Sequence, residues 1–431
     1  MSEEIVNEEQ LQEFESHQQQ PALERRAIRR KRKKWPYLEL NIDVPLTIVV
    51  FVLLVFGMLM VYSASWDFSL LNYDDATFMF RRQLFTMSVG LVAALVCSQI
   101  NYHFWQKYAT PLIATMVAAL VVVLVIGEVR FGSARALSAG SYMPGELAKL
   151  AVILYLSVWL YSKRDELKKI SYGLLPLAGI VGIVAGLIFL QPDISAAATI
   201  VFLGGILFFL AGGDLKQIAL MLAVSAVLGL LLVSLSTTGR ARMGSYLLTL
   251  QNPTQADYHV LRSFEAFVKG GWFGVGLGQA ETKLTGLPVP PTDSIFAVVG
   301  EELGMVGAGF LVVVYAALLW RGLVIASRAP DMLGALIAGG VSIWIAMEAY
   351  VNMAVMVGLV PFAGNALPLI SYGGSNLVAT LAALGILMNI ARVSQGQHQR
   401  EERTLDATAR GRRSERGWGL SRTRRAARVG Q

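Results

Sequence analysis

The strongest constraint in this sequence is a succession of apolar stretches long enough to cross a bilayer. A helix of about 18 or more apolar residues spans roughly 30 Å of hydrocarbon. Seven runs qualify: Leu46–Ser63, Gln83–Ile100, Ala109–Ile126, Gln217–Leu235, Ile295–Trp320, Leu333–Val357 and Gly374–Ile390. Three more are shorter or interrupted: Glu146–Tyr161, Gly173–Leu190 and Ile194–Ala211. Gln191-Pro192-Asp193 separates the last two and is too polar and Pro-broken to lie inside one long span. The expected fold is an all-α polytopic membrane protein with about ten transmembrane helices. One long extracytoplasmic loop, about 236–293, joins the seventh to the eighth.

Composition agrees. Of 431 residues, 55% are hydrophobic and 16% charged, against roughly 25% charged in soluble proteins. Residues 1–35 and 392–431 hold 19 of the 37 Lys and Arg but only 11 of the 30 Asp and Glu. The net charge of +7 therefore belongs to the tails, and no nucleic-acid-binding core is implied. Cys97, the one cysteine, excludes an intrachain disulfide framework or a cysteine zinc site. The basic run Arg29–Lys34 precedes the first span, and Arg392 with ten further arginines follows the last. Lys163, Arg164, Lys168 and Lys169 join the fourth span to the fifth; Arg321 and Arg328 join the eighth to the ninth. The positive-inside rule then puts both termini in the cytoplasm. With no cleavable leader in the first 34 residues, the expected location is a bacterial inner membrane. Residues 1–42 read as an acidic, then polybasic tail and 393–431 as a basic tail, both largely disordered. Both basic blocks suit anionic lipid head groups.

Ionisable groups inside spans are costly and often mark function. Glu146 and Lys149, three apart, share a helix face and can pair; a purely structural ion pair serves as well. Asp193 follows Gln191-Pro192, where capping the sixth helix is the plainer role. Glu301 and Glu302 are adjacent, so their side chains diverge; Glu348 stands alone in the ninth span. Asp293 ends the proline-stiffened approach Leu287-Pro288-Val289-Pro290-Pro291-Thr292 at the mouth of a helix. Either Thr292 or Asp293 can be a helix cap there. His17, His103, His259 and His398 have no metal-ligand spacing, and the glycines of 270–278 follow no strand, so they are no dinucleotide fingerprint.

Taken in order, these segments resemble the SEDS family (shape, elongation, division and sporulation) of the FtsW and RodA type. The residues that carry the resemblance are Met60–Ser65, Glu146–Ala151, Gln191-Pro192-Asp193, the glycine-rich 270–278, Thr292-Asp293, Gly300–Gly304 and Pro368–Ser375. It covers about 43–392. Gly274-Val275-Gly276-Leu277-Gly278 with Lys283 and Leu287-Pro288 looks more like the division branch than the elongation branch.

The resemblance implies polymerisation of lipid II into peptidoglycan strands at the division septum. A class B penicillin-binding protein transpeptidase is the implied partner, with other division proteins around it. It implies that Asp293 is the catalytic aspartate, acting as general base or placing a divalent cation (Mg or Mn) at the pyrophosphate. Glu146 and Lys149 match a polar pair of the family's central cavity. Arg240 and Arg242 on the outer loop suit a pyrophosphate or acidic stem, or a plain surface ion pair. Asp193, Lys283, Thr292, Glu301 and Ser371 complete the candidate substrate-binding set. Three positions depart from the family pattern: Pro291 where His often precedes Thr-Asp, Arg135-Ala136 for Arg-Trp, and Tyr258-His259 for Tyr-Gln. A flippase for the lipid-linked precursor, an elongation-type polymerase and an inactive scaffold are the competing readings.

Overall fold

A computed structural model describes residues 43–126, 128–130, 133–136 and 143–397. The expectations for the two tails lie outside the described residues. The chain begins with α1 (Val44–Tyr73), α2 (Phe78–Gln99) and α3 (Phe104–Ile126). The short antiparallel hairpin of β1 (Glu128–Arg130) and β2 (Ser133–Ala136) follows, with Val129 opposite Ala134. Then come α4 (Pro144–Ser162), α5 (Leu174–Leu190), α6 (Ile194–Leu210) and α7 (Leu215–Leu235). The segment expected as a long loop carries two helices, α8 (Thr237–Gln251) and α9 (Tyr258–Gly270), and runs on without helix to Asp293. The last elements are α10 (Ile295–Glu302), α11 (Gly304–Ser327), α12 (Met332–Met356) and α13 (Gly374–Gln397).

Eight of these helices are long and apolar enough to cross a membrane, and α5 and α6 are apolar at 17 residues each. The chain is thus helical as expected, apart from the small hairpin. One boundary needs correction. The run expected as a single span from Ile295 to Trp320 is two helices, broken at Leu303-Gly304. Gly304 adopts φ +68°, the left-handed region that glycine tolerates, and a Cβ there would lie 2.4 Å from the Trp272 carbonyl. The break is made by the outer loop: the amides of Met305 and Val306 donate to the carbonyls of Gly271 and Trp272, at 2.9 and 3.1 Å. Loop carbonyls thus satisfy helix-start donors that would otherwise be orphaned.

At the other end of the bundle, Asp43 caps α1, accepting from the Leu46 amide at 3.1 Å, and its carboxylate is gripped by Arg321 of α11 at 2.9 and 2.6 Å. Asp193 is the N-cap of α6, accepting from the Ala196 amide at 3.1 Å. The core centres on α12, packed against α4, α6 and α11. Small residues let these helices approach closely: a Cβ on Gly340 would meet Ile153 and Leu207, and one on Gly322 would meet Ser342. By contrast α7 leaves Val227, Leu228, Leu230 and Leu231 uncovered, a lipid-facing pattern.

Candidate active site at the outer end of the bundle

Asp293 lies in the turn just before α10, whose N-cap is Ser294 rather than Asp293 or Thr292. The Ser294 hydroxyl makes no cap bond and donates instead to the Pro288 carbonyl at 2.8 Å. Three successive carbonyls of this turn are held from outside. That of Pro291 accepts from the Tyr372 amide at 2.8 Å, that of Thr292 from the Ser371 hydroxyl at 2.6 Å, and that of Asp293 from the Asn352 amide group at 2.9 Å. Ser371 is fixed in turn, accepting from the Leu367 amide at 2.7 Å, while its carbonyl accepts from buried Gln83 of α2 at 3.2 Å. A backbone held at three consecutive residues limits the movement of the turn that carries Asp293.

Asn352, fully buried in α12, also donates to the Asn365 carbonyl at 2.6 Å. It thereby joins the Asp293 turn to the segment 360–365, where a Cβ on Gly364 would sit 2.9 Å from Asp293 Oδ2. That segment walls a cavity of about 540 Å³, with Ser195 and Thr199 of α6, Arg242 of α8 and Val351 of α12 among its other lining residues. The lining is predominantly apolar, with Arg242 as its only charged side chain among the described residues. The Arg242 guanidinium lies 5.6 Å from the Phe362 ring centre, and His259 stacks on the same ring at 4.2 Å. Burial, with Arg242 adding to it, holds the His259 imidazole below its ordinary value against the opposing pull of Asp257. Arg240 is exposed on α8.

A second polar group lies within the bundle. Lys149 bridges Glu146, at 2.9 Å, and Glu348 of α12. Asn376 of α13 donates to Glu146 at 2.7 Å, and Lys149 lies 5.7 Å from the Trp344 ring centre. Sequence separation hid this partnership, since Glu348 is 199 residues from Lys149. Glu348 Oε2 and Trp344 Nε1 are both buried, with the Trp344 indole N–H the remaining donor toward Glu348.

A third group holds the outer loop. Lys283 reaches Glu302 at 2.9 Å and the Gly278 carbonyl at 2.9 Å, while the Ser63 hydroxyl of α1 donates to Glu302 at 2.6 Å. Glu301 turns the other way, accepting from the amides of Glu281 and Thr282, at 2.9 and 3.2 Å, and from the Thr282 hydroxyl. Both glutamates are fully buried. The divergence expected of adjacent residues is present, and each carboxylate is spent on the loop.

Among the described residues no three His, Cys, Asp or Glu side chains gather as a metal centre. Asp293 therefore stands outside any such cluster among the described residues.

A family model described as "Cell cycle protein", covering FtsW, RodA and SpoVE, matches residues 44–396. The chain belongs to the FtsW/RodA/SpoVE family. A Trichlorobacter lovleyi protein named "Probable peptidoglycan glycosyltransferase FtsW" is 38% identical over 360 residues, covering 83% of this chain and 94% of that protein. "Stage V sporulation protein E" of Bacillus subtilis is 35% identical, over 82% of this chain and 98% of the relative. A solved structure described as "Structural coordination of polymerization and crosslinking by a peptidoglycan synthase complex" superposes with a TM-score of 0.68 at 26% identity, covering 82% of this chain and 99% of that one. Family membership and the apolar helices make this a multi-pass membrane protein.

Proposed function

We propose that this chain is a peptidoglycan glycosyltransferase that polymerises lipid II, with Asp293 as general base. The observation that carries the reading is a carboxylate on a triply held turn, beside a segment walling a largely apolar cavity with one arginine, in a chain whose relatives are named for this activity. The Asp293 carboxylate takes the proton of the acceptor sugar's 4-hydroxyl as its oxygen bonds to the donor's anomeric carbon. The bond from that carbon to the pyrophosphate oxygen breaks, and undecaprenyl pyrophosphate leaves with inversion. Arg242 offers a guanidinium to the departing anion at the cavity wall. In its alternative role Asp293 would hold a divalent cation (Mg or Mn), which would supply charge stabilisation to the leaving pyrophosphate.

Relatives named FtsW and stage V sporulation protein E support a septal role rather than an elongation role, and the basic residues flanking the first and last spans support an inner-membrane location with both termini cytoplasmic. The matched synthase complex supports a crosslinking partner, which we read as a class B penicillin-binding protein. The test is glycan polymerisation from lipid II by purified protein, with and without that partner and with a moenomycin control. Wild type makes chains, and Asp293→Asn, folded to the same thermal midpoint, loses at least about 100-fold, the lower end of a general base's contribution. An equally active variant overturns the assignment. Failure of wild type with its partner present, while it scrambles lipid II across liposomes, makes the flippase reading the better one.

A further inference from the structure

The glycine-rich turn at residues 271–276 presents two aromatic rings outward: Trp272 is 73% exposed and Phe273 85%. This is not slack chain. The turn is bound to the α10–α11 junction by the two bonds into Met305 and Val306, by the Val275 amide to the Glu301 carbonyl at 3.0 Å and by the Gly276 amide to the Glu302 carbonyl at 3.0 Å. Its glycines at 271, 274, 276 and 278 all have positive φ, and a Cβ on Gly274 would lie 2.2 Å from the Glu302 carbonyl. A rigid turn that holds Trp-Phe away from its own protein exposes a surface built for an apolar neighbour.

The depth of the turn can be measured along two helices. The Asp43–Arg321 pair ties the inner ends of α1 and α11 at one level. From Asp43 to Ser63 is 20 residues, about 30 Å of helix; from Arg321 back to Gly304 is 17 residues, about 26 Å. The two outer ends meet, because Ser63 bonds directly to Glu302. Both lengths match the roughly 30 Å of a hydrocarbon core, so residues 302–306 lie at its outer boundary. Exposed Tyr62 and Trp66, edge to face at 5.6 Å, mark the same level on α1, where aromatic belts form. Trp272 and Phe273, bonded to the start of α11, are continuous with its uncovered face of Met305, Val306, Phe310 and Val313. The polar side of the loop is occupied elsewhere: Lys269 pairs with Glu265 and Glu281 at 3.3 and 3.2 Å.

We infer that residues 271–276 form a membrane wedge, with the Trp272 and Phe273 rings seated in the outer-leaflet lipid at the head-group and acyl boundary. The wedge fixes the depth of the α10–α11 junction and, through α10, of the turn that carries Asp293. That catalytic consequence rests on the polymerase reading; the lipid contact itself does not.

The test uses the full chain in phosphatidylcholine–phosphatidylglycerol nanodiscs, on a Cys97→Ser background, with spin labels at Trp272→Cys or Phe273→Cys. Met305→Cys is the lipid reference and Gln279→Cys, exposed on the same loop, the aqueous one. Relaxation by oxygen and by a water-soluble nickel complex reads depth. Labels at 272 and 273 are expected to favour oxygen as the 305 label does, several-fold above the 279 label. A ratio equal to that at 279 overturns the wedge. Protection from both reagents also overturns it, because a second copy then covers the rings. The consequence has its own measurement. Trp272→Ser/Phe273→Ser is expected to raise the KM for lipid II in liposomes several-fold with kcat near wild type. An unchanged KM leaves the lipid contact standing and overturns its role in placing the site. Absence of activity in wild type itself breaks the polymerase reading without touching the label result.

Discussion

Two buried polar groups use the same parts to different ends. Each sets one lysine against glutamates on the helices: Lys149 with Glu146 and Glu348, and Lys283 with Glu302. Around Lys283 every carboxylate oxygen has a donor. Glu302 takes the Ser63 hydroxyl on both oxygens, and neighbouring Glu301 takes two amides and a hydroxyl. Around Lys149 two carboxylates share one cation, and Glu348 Oε2 has only the Trp344 indole N–H as a further donor. A saturated network rigidifies what it touches, here the loop that ends at Asp293; an unsaturated one retains capacity for a proton, a water or a substrate group. The difference assigns the Lys283 group to the scaffold and leaves the Lys149 group as the one with chemistry to spare.

The largest test of that contrast is Lys149→Met, which strands two carboxylates in the membrane interior. A loss of about 3–5 kcal/mol is expected, read as a collapse of the thermal midpoint in detergent. The double variant Lys149→Met/Glu348→Met should recover much of the midpoint while glycan synthesis stays low. Recovery of both would reduce the group to structure. For the outer group, the expected outcome of Lys283→Met is a smaller loss of stability, since Glu302 retains the Ser63 hydroxyl. Lys283→Glu/Glu302→Lys should restore only part of the stability and kcat, because the pair re-forms while the Gly278 and Ser63 carbonyls lose their donor. Loss of lipid II binding in that swapped variant would make Lys283 a substrate ligand after all. Smaller again, Asn352→Leu removes the donor to the Asp293 and Asn365 carbonyls, at about 1–3 kcal/mol. Its mark should be a lower kcat with KM little changed, since the turn that aims Asp293 loosens while the cavity keeps its lining.

Most spans were legible because a bilayer leaves a chain few choices, and seven apolar runs announce themselves by length. The break at Leu303-Gly304 was not, since its cause lies about thirty residues upstream in the carbonyls of Gly271 and Trp272. Asp293 stood out as a carboxylate on a stiff approach, but its support did not. Asn352 is a neutral amide in an apolar helix, and the only available signal was that a buried amide needs partners somewhere. Glu348 drew notice as an intramembrane acid, yet only the fold brings α12 to α4 and makes it Lys149's partner. Ser371 belonged to a recognised turn; its work as donor to the Thr292 carbonyl depends on two segments 79 residues apart.

The smallest expected effect concerns His259, which lies on the outer side between Asp257 and Arg242 and is stacked on Phe362. Burial is the main cause of its depressed imidazole, so the folded protein resists a proton that the unfolded chain accepts near the ordinary value of 6.5. Above that value both states are neutral and the residue adds no slope. As pH falls below it, the unfolded state gains protons first and stability declines, levelling only once the folded form also protonates. Thermal midpoints taken between pH 7.5 and 5 should therefore fall for wild type more steeply than for His259→Gln, which keeps a planar polar group on the Phe362 ring. If the two slopes coincide, this outer stack is electrostatically inert, and the contrast between saturated and unsaturated polar groups is confined to the two lysine clusters.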